Sequence, residues 1–338
     1  MATVSRGPAL AALVAFGLLL VTLGPAGTGS SLVVSTTSGP TGGHAVDPAI
    51  FEPGSCRTFA PTAGDRHQSV FLDAGHGKID PGSVGVTESG QTVYEATETL
   101  AVELDTLALL RAEGFTVTVS RTADSPVARP QPGDVSGGLY TIAGDLRDVA
   151  SRDICADMAR ADILIGIYFD AGPSSVNAGS ITGYDTDRPF AADNLHLATL
   201  VQTDVLAALN AQGWDIPDDG VVSDTLLGGP ALSDAAAAYG HLVLLGPADP
   251  GYFSTPSTMP GALIEPLFIT DPYEGSLASS ALGQQVIAHG LTAAVAQYFG
   301  PPKEHAATRS KGVRAAQISC GAQPRDSKHP SSTGRACG

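Results

Sequence analysis

Three side chains in this 338-residue sequence stand where chemistry could be done. His76 lies between two glycines in Val70-Phe-Leu-Asp-Ala-Gly-His-Gly-Lys-Ile-Asp-Pro-Gly82. The first half of that stretch, Ser69 to Asp73, reads as a buried strand. Gly75, Gly77 and Gly82, with the turn signal Asp80-Pro81-Gly82, end any regular structure there. An imidazole where a strand runs out, with nothing bulky beside it, can ligate a metal or move protons. Glu95 follows 19 positions later, at the start of a helical pattern. Its plain reading is the closing residue of a capping box, Thr92-Val93-Tyr94-Glu95. Glu265 closes the apolar run Gly261-Ala-Leu-Ile and is followed by Pro266. Alone it reads as a solvated carboxylate at a strand end.

The elements that must position these residues alternate between strand and helix. Thr92 to Glu113 is expected to be a helix, with Leu100, Leu104, Leu107 and Leu110 at helical spacing and Gly114 to stop it. Phe115 to Ser120 reads as a strand, and Leu146 to Arg160 as a helix. Ile163 to Phe169 is continuously apolar apart from Gly166, as a parallel strand buried on both faces would be. A strand at Ser180–Tyr184, a helix at 190–212, strands at 241–246 and 261–265 and a closing helix at 282–299 complete the pattern. The loop 247–259 carries Tyr252 and Phe253, which could line a groove. Such alternation predicts an α/β fold, and in open α/β sheets ligands bind outside the carboxyl ends of the strands. His76, Glu95 and Glu265 should then meet on one rim.

The segment Leu72-Asp-Ala-Gly-His-Gly with Asp80-Pro-Gly82 resembles the opening motif of the zinc-dependent N-acetylmuramoyl-L-alanine amidases, which cut peptide stems from the glycan strands of bacterial cell walls. Further motifs arrive in the family's order. Arg121-Thr122-x-Asp124 resembles its Arg-Thr-x-Asp, for which an Arg–carboxylate pair fixing a loop is expected. Arg152-x4-Asp157-x3-Ala161-Asp162 resembles Arg-x4-Asn-x3-Ala-Asp, and Gly261 to Phe268 resembles Pro-Ala-Val-Leu-Val-Glu-x-Gly-Phe. The resemblance spans about Ser69 to Phe299. It implies a three-layer α/β domain with a mainly parallel sheet of about six strands flanked by helices. It implies Zn²⁺ held by His76 and Glu95, Glu265 as the catalytic acid/base, and peptidoglycan as substrate. The sequence departs from the family where the third zinc ligand is expected: the usual Ser-Ile-His-x-Asn is here Gly166-Ile-Tyr168-Phe-Asp170. Tyr168 takes the place of the histidine, as an unusual oxygen ligand or with a water in its stead, and Asp170 takes the place of the asparagine. Three readings stay open: an active amidase with an altered site, a non-catalytic peptidoglycan binder, and a secreted zinc peptidase. Retention of Glu265 favours the first.

The rest of the chain sets the context. With 18 Lys+Arg against 34 Asp+Glu, a formal charge of −16 excludes nucleic-acid binding by the bulk of the chain. Residues 1–28 read as a secretory signal, with Arg6, an apolar stretch and then small residues; an uncleaved membrane anchor is the other reading. Residues 29–65 read as a flexible linker, 66–300 as the domain and 301–338 as a basic, disordered tail, the whole acting as a monomer. Four cysteines suit export and allow three pairings; Cys320 with Cys337 and Cys56 with Cys155 follows from proximity alone.

Overall fold

The computed structural model describes residues 40, 42–227 and 233–301. Among the described residues the first elements are β1 (His44–Ala45) and β2 (Ser55–Phe59), followed by β3 (Ser69–Ala74). A hairpin of β4 (Val84–Val86) and β5 (Thr92–Tyr94) leads directly into α1 (Glu95–Ala112) and β6 (Thr116–Arg121). A second hairpin, β7 (Val135–Ser136) and β8 (Leu139–Tyr140), precedes α2 (Ile142–Ala159) and β9 (Ile163–Ile167). Next come β10 (Ser180–Tyr184), α3 (Ala191–Asn210), β11 (Asp218–Ser223) and α4 (Asp234–Tyr239). β12 (Gly261–Glu265), α5 (Pro272–Ala278) and α6 (Ala281–Phe299) finish the domain.

The main sheet has eight strands in the order β1-β2-β6-β3-β9-β12-β10-β11. Its centre, β6-β3-β9-β12, is parallel, and β10 and β11 are parallel to each other but antiparallel to β12. The α/β expectation holds, with two more strands than the six expected. Residues 42–65, which fall in the stretch read from sequence as linker, supply two strands beyond those expected, β1 and β2, and β2 pairs antiparallel with β6.

Alternation along the strands divides the core into two layers. Val70, Leu72, Ile163, Ile165, Ile167, Ala262 and Ile264 face a cluster with Val102, Leu107, Val201, Ile287 and Leu291, from α1, α3 and α6. Phe71, Leu164 and Leu263 face the other side, with Cys155 and Ala156 of α2 and with Leu244, Leu245 and Met259. Cys56 and Cys155 form a disulfide that ties β2 to α2.

The strand expected at 241–246 does not form. The Leu245 and Gly246 amides both donate to the Leu242 carbonyl, at 3.1 and 2.7 Å, so the run is a turn. Leu244 and Leu245 are buried as a plug over the sheet face, where Gly166 and Gly261 leave room for their methyl groups. A short apolar run looks the same whether it pairs as a strand or packs as a buried turn. No helix among the described residues is long and apolar enough to cross a membrane. The segment read as an export signal, the basic tail beyond residue 301, and Cys320 and Cys337 lie outside the described residues.

Candidate active site

Register brings the sequence-picked residues together. Ala74 pairs with Ile167, and Ile167 with Ile264, so β3, β9 and β12 end level with one another. The residues that follow, His76, Tyr168 and Glu265, therefore share one rim of the sheet. Glu95 joins them from the first turn of α1. One cavity is lined by His76, Glu95, Tyr168, Asp170 and Glu265.

His76 sits in the left-handed region, at φ 64°, a conformation that needs outside support. The Gly75 amide donates to the Ile167 carbonyl at 3.0 Å, and Gly77 and Asp80 exchange backbone bonds of 2.7 and 3.1 Å. Glycine is required at 75, because a Cβ there would run into the Tyr168 ring. Arg152, buried in α2, donates to the His76 carbonyl at 2.9 Å, to Ala74 O at 2.7 Å and to Asp73 Oδ1 at 2.6 Å. Arg121 is also buried and donates to the carbonyls of Ala74, Gly75 and Ala96. The loop-fixing role expected of Arg121 is thus exerted on main-chain carbonyls, while Asp124 separately accepts the Lys78 amide at 2.7 Å. In the neighbouring motif, Asp157 accepts from the Thr258 amide and hydroxyl, and Asp162 from the Ser69 amide.

The two ring nitrogens of His76 face two carboxylates. Nδ1 is 2.6 Å from Asp80 Oδ2, and Nε2 is 3.0 Å from Glu95 Oε1. Burial alone would lower the His76 pKa, but Glu95 and Asp80 outweigh it and carry it to about 10. Glu95 does not close a capping box. Thr92–Tyr94 is strand, and Tyr94 caps α1 without a side-chain bond. The Glu95 carboxylate instead accepts the Ser83 amide at 2.8 Å and the Phe169 amide at 3.0 Å, which pins it between the His76 loop and the end of β9.

Tyr168 packs edge-on against His76, with ring centroids 5.3 Å apart. Its hydroxyl donates to Asp73 Oδ2 at 3.2 Å. Burial, and then the Asp73 charge, push the phenol pKa well above its ordinary value, so it stays protonated. Burial also raises the pKa of Glu265, helped by the Asp170 and Glu95 carboxylates, and burial raises that of Asp170, helped by Glu95 and Asp219. The Glu265 and Asp170 carboxyls are neighbours on the rim, and each bears on the other's proton. An acid held in this way can take up and release a proton near neutral pH.

The profile of the N-acetylmuramoyl-L-alanine amidase family, Amidase_3, matches residues 70–297. The chain belongs to this family. It is 25% identical to N-acetylmuramoyl-L-alanine amidase LytC of Bacillus subtilis (strain 168) over 232 residues, which is 69% of this chain and 36% of LytC. It is also 25% identical to the germination-specific N-acetylmuramoyl-L-alanine amidase of the same organism over 238 residues, 70% of this chain and 82% of that protein. Among solved structures it resembles the CwlD amidase from Clostridioides difficile, determined in complex with the GerS lipoprotein. That likeness has a TM-score of 0.51 and 21% identity, and covers 69% of this chain and 98% of that one. It shows the fold.

Within this amidase-family domain, two features escaped sequence reasoning. One is Arg152 as the residue that holds the His76 loop; a motif match gave its position but not its partners. The other is a group formed by Asp185, Asp224 and His241, whose ligand-type atoms all lie within 4.8 Å of one another. Reading His241 as the start of a strand hid its neighbours. Of the two aromatic residues in the loop 247–259, Tyr252 lines a cavity of about 280 Å³ together with Tyr168 and Glu265, while Phe253 is buried.

Proposed function

We propose that this chain is an exported peptidoglycan hydrolase that cleaves the amide bond between the lactyl group of N-acetylmuramic acid and L-alanine. Family membership supports the reaction. The observation that carries it to particular atoms is the convergence of His76, Glu95 and Glu265 on one cavity at the sheet rim. The donor set fits a divalent cation, and zinc is the ion we assign. His76 Nε2 and Glu95 Oε1 point at each other across 3.0 Å, and an ion between them would take the place of the shared proton. Asp80 on the far nitrogen fixes the ring, as outer carboxylates do for histidine ligands. Tyr168 would offer a third donor as a neutral oxygen, a weak one while Asp73 keeps its proton in place.

The cation would supply Lewis acidity towards the amide carbonyl and towards water. Glu265 takes the proton of the attacking water on its carboxylate and returns it to the leaving amine. Its raised pKa makes it a stronger base than an ordinary glutamate, and Asp170 shares the proton it gains. Arg152 and Arg121 hold the His76 loop through its carbonyls, so the reacting groups keep their spacing.

The test is digestion of purified cell-wall sacculi with zinc present, scored by the appearance of new N-terminal L-alanine. Wild type should release it and Glu265→Gln should not. The protonated phenol at Tyr168 favours a second reading, a binder that keeps the groove without turnover. That reading requires the protein to sediment with sacculi while releasing no amino termini at any zinc concentration.

A further inference from the structure

A second set of ligand-type side chains lies away from the His76 rim. Asp185 directly follows β10, Asp224 directly follows β11, and His241 lies just beyond α4. Because β10 runs antiparallel to β12, with Gly183 opposite Leu263, Asp185 lies towards the end of the sheet opposite Glu265. His241 Nδ1 is 2.8 Å from Asp185 Oδ2 and 3.2 Å from Asp224 Oδ2. Asp185 is fully buried and Asp224 is 1% exposed.

The hydrogen bonding of this group is incomplete. Asp185 Oδ1 accepts the Asp187 amide at 2.6 Å, and Asp224 Oδ2 accepts the Leu242 amide at 3.0 Å. Among the described residues none donates a hydrogen bond to Asp185 Oδ2, which is buried and lies 2.8 Å from His241 Nδ1. One nitrogen faces two carboxylates and can carry only one proton. Leaving a buried carboxylate oxygen unserved is costly. Nearby charge does not resolve this: the Arg188 guanidinium donates to the Leu245, Gly246 and Ser257 carbonyls. Among the described residues, His241 Nε2 faces the exposed Asp187, at 3.6 Å.

We propose that Asp185, Asp224 and His241 form a second divalent-cation site, of the zinc class, separate from the His76 rim. A cation bound to His241 Nδ1 and to one oxygen of each aspartate would serve every open acceptor. Neighbouring donors on tetrahedral zinc lie roughly 3.4 Å apart, given bonds of about 2.0–2.2 Å, so only small shifts are needed. One imidazole nitrogen with two carboxylates suits zinc; calcium and magnesium prefer a larger shell of oxygens. Burial raises the pKa of both aspartates, which is the cost that a bound cation would offset. The role is positional. His241 and Leu242 wall the cavity of about 280 Å³ that reaches Tyr168 and Glu265, so an ion here pins that wall to β10 and β11.

The experiment uses full-length His76→Ala protein, in which the rim site is disabled and this cluster is untouched. After metal is stripped, zinc and cobalt are added and excess is dialysed away. The protein should retain one equivalent of zinc, unfold at a higher temperature with zinc than without, and give the visible bands of four-coordinate cobalt. His76→Ala/His241→Asn should lose all three. Should that double variant fail to fold, His76→Ala/Asp185→Asn takes its place, and the cobalt spectrum of His76→Ala reports the site without altering it. If His76→Ala retains no zinc and shows no cobalt bands, the group is a hydrogen-bonded cluster that holds no ion and the proposal is overturned. Wall digestion by the unaltered protein is scored separately, so failure of the amidase reading is distinguishable from failure of this one.

Discussion

Glu95 reaches from the first turn of α1 to within 3.0 Å of His76 Nε2 while accepting the backbone amides of Ser83 and Phe169. Those amides belong to the loop after β3 and to the end of β9. One carboxylate therefore sets the spacing between the His76 loop and the strand that carries Tyr168. Gly82 lets them approach: a Cβ there would lie 2.7 Å from the His76 ring and 2.8 Å from Glu95.

A ligand and a base should separate on mutation. His76→Ala and Glu95→Ala are expected to lose zinc from the rim site and, with it, wall hydrolysis. Glu265→Gln should keep that zinc and lose at least ~100-fold in hydrolysis, the usual contribution of a positioned acid/base. Zinc content and amino-terminal release are measured on the same preparations. Loss of zinc in Glu265→Gln as complete as in His76→Ala would show that the roles are misassigned.

The proton on His76 should make the metal-free protein sensitive to alkali. Its folded pKa, about 10, lies above the ordinary 6.5. The stabilisation from its carboxylate partners is therefore fully present below about pH 6.5 and is lost as pH rises through about 10. Zinc must displace that proton, so its apparent affinity for the rim site should climb over the same window. Urea midpoints of stripped protein across the window, compared with His76→Gln, check the first point. If both proteins show the same slope, the Glu95 and Asp80 pairing is not its source.

The site's residues were more legible in the sequence than the way they are held. His76 stands out because the glycines around it leave an imidazole few other uses, whereas Glu265 alone reads as a solvated strand end and gained its role from the resemblance. Glu95 was visible only as a capping residue or, by resemblance, as a ligand. Nothing local says that its carboxylate reaches Phe169, 74 positions away. β1 and β2 were hidden in a Gly- and Pro-rich stretch, since two such short strands give too few residues for a period of two to show. The Leu242–Leu245 run was misread because burial, which the sequence shows, does not say whether the backbone pairs.

Tyr168 should separate stability from metal binding. Its hydroxyl serves Asp73, so Tyr168→Phe removes a hydrogen bond to a buried carboxylate and should cost about 1.5–3 kcal/mol. A protonated phenol adds little to a metal, so the same variant should bind zinc about as tightly as wild type. Tyr168→His replaces it with a good neutral ligand and should tighten zinc and raise hydrolysis. Competition with a metal-indicator dye measures the affinities. A large loss of zinc in Tyr168→Phe would mean that the tyrosine oxygen ligates well despite Asp73.

Arg152 should matter to zinc without touching it. It is 1% exposed and pairs with Asp73 and Asp148 at 2.6 and 2.9 Å. The same guanidinium donates to Ala74 O and His76 O, so it is both the counter-charge of two buried carboxylates and the clamp on the His76 loop. Arg152→Met leaves those carboxylates buried without a cation, at a cost of about 3–5 kcal/mol. Arg152→Lys restores the charge but offers a compact ammonium in place of a planar fork, so it cannot reach all four acceptors at once. The lysine variant should therefore recover much of the lost stability while still binding rim-site zinc more weakly than wild type. The Cys56–Cys155 disulfide anchors α2 three residues beyond Arg152, so reduction should shift zinc affinity in the same direction. Denaturant midpoints and dye competition on Arg152→Lys measure the two effects apart. Unchanged zinc affinity in a folded Arg152→Lys protein would confine Arg152 to charge balance and leave the His76 loop to be held by Arg121 and its own glycines.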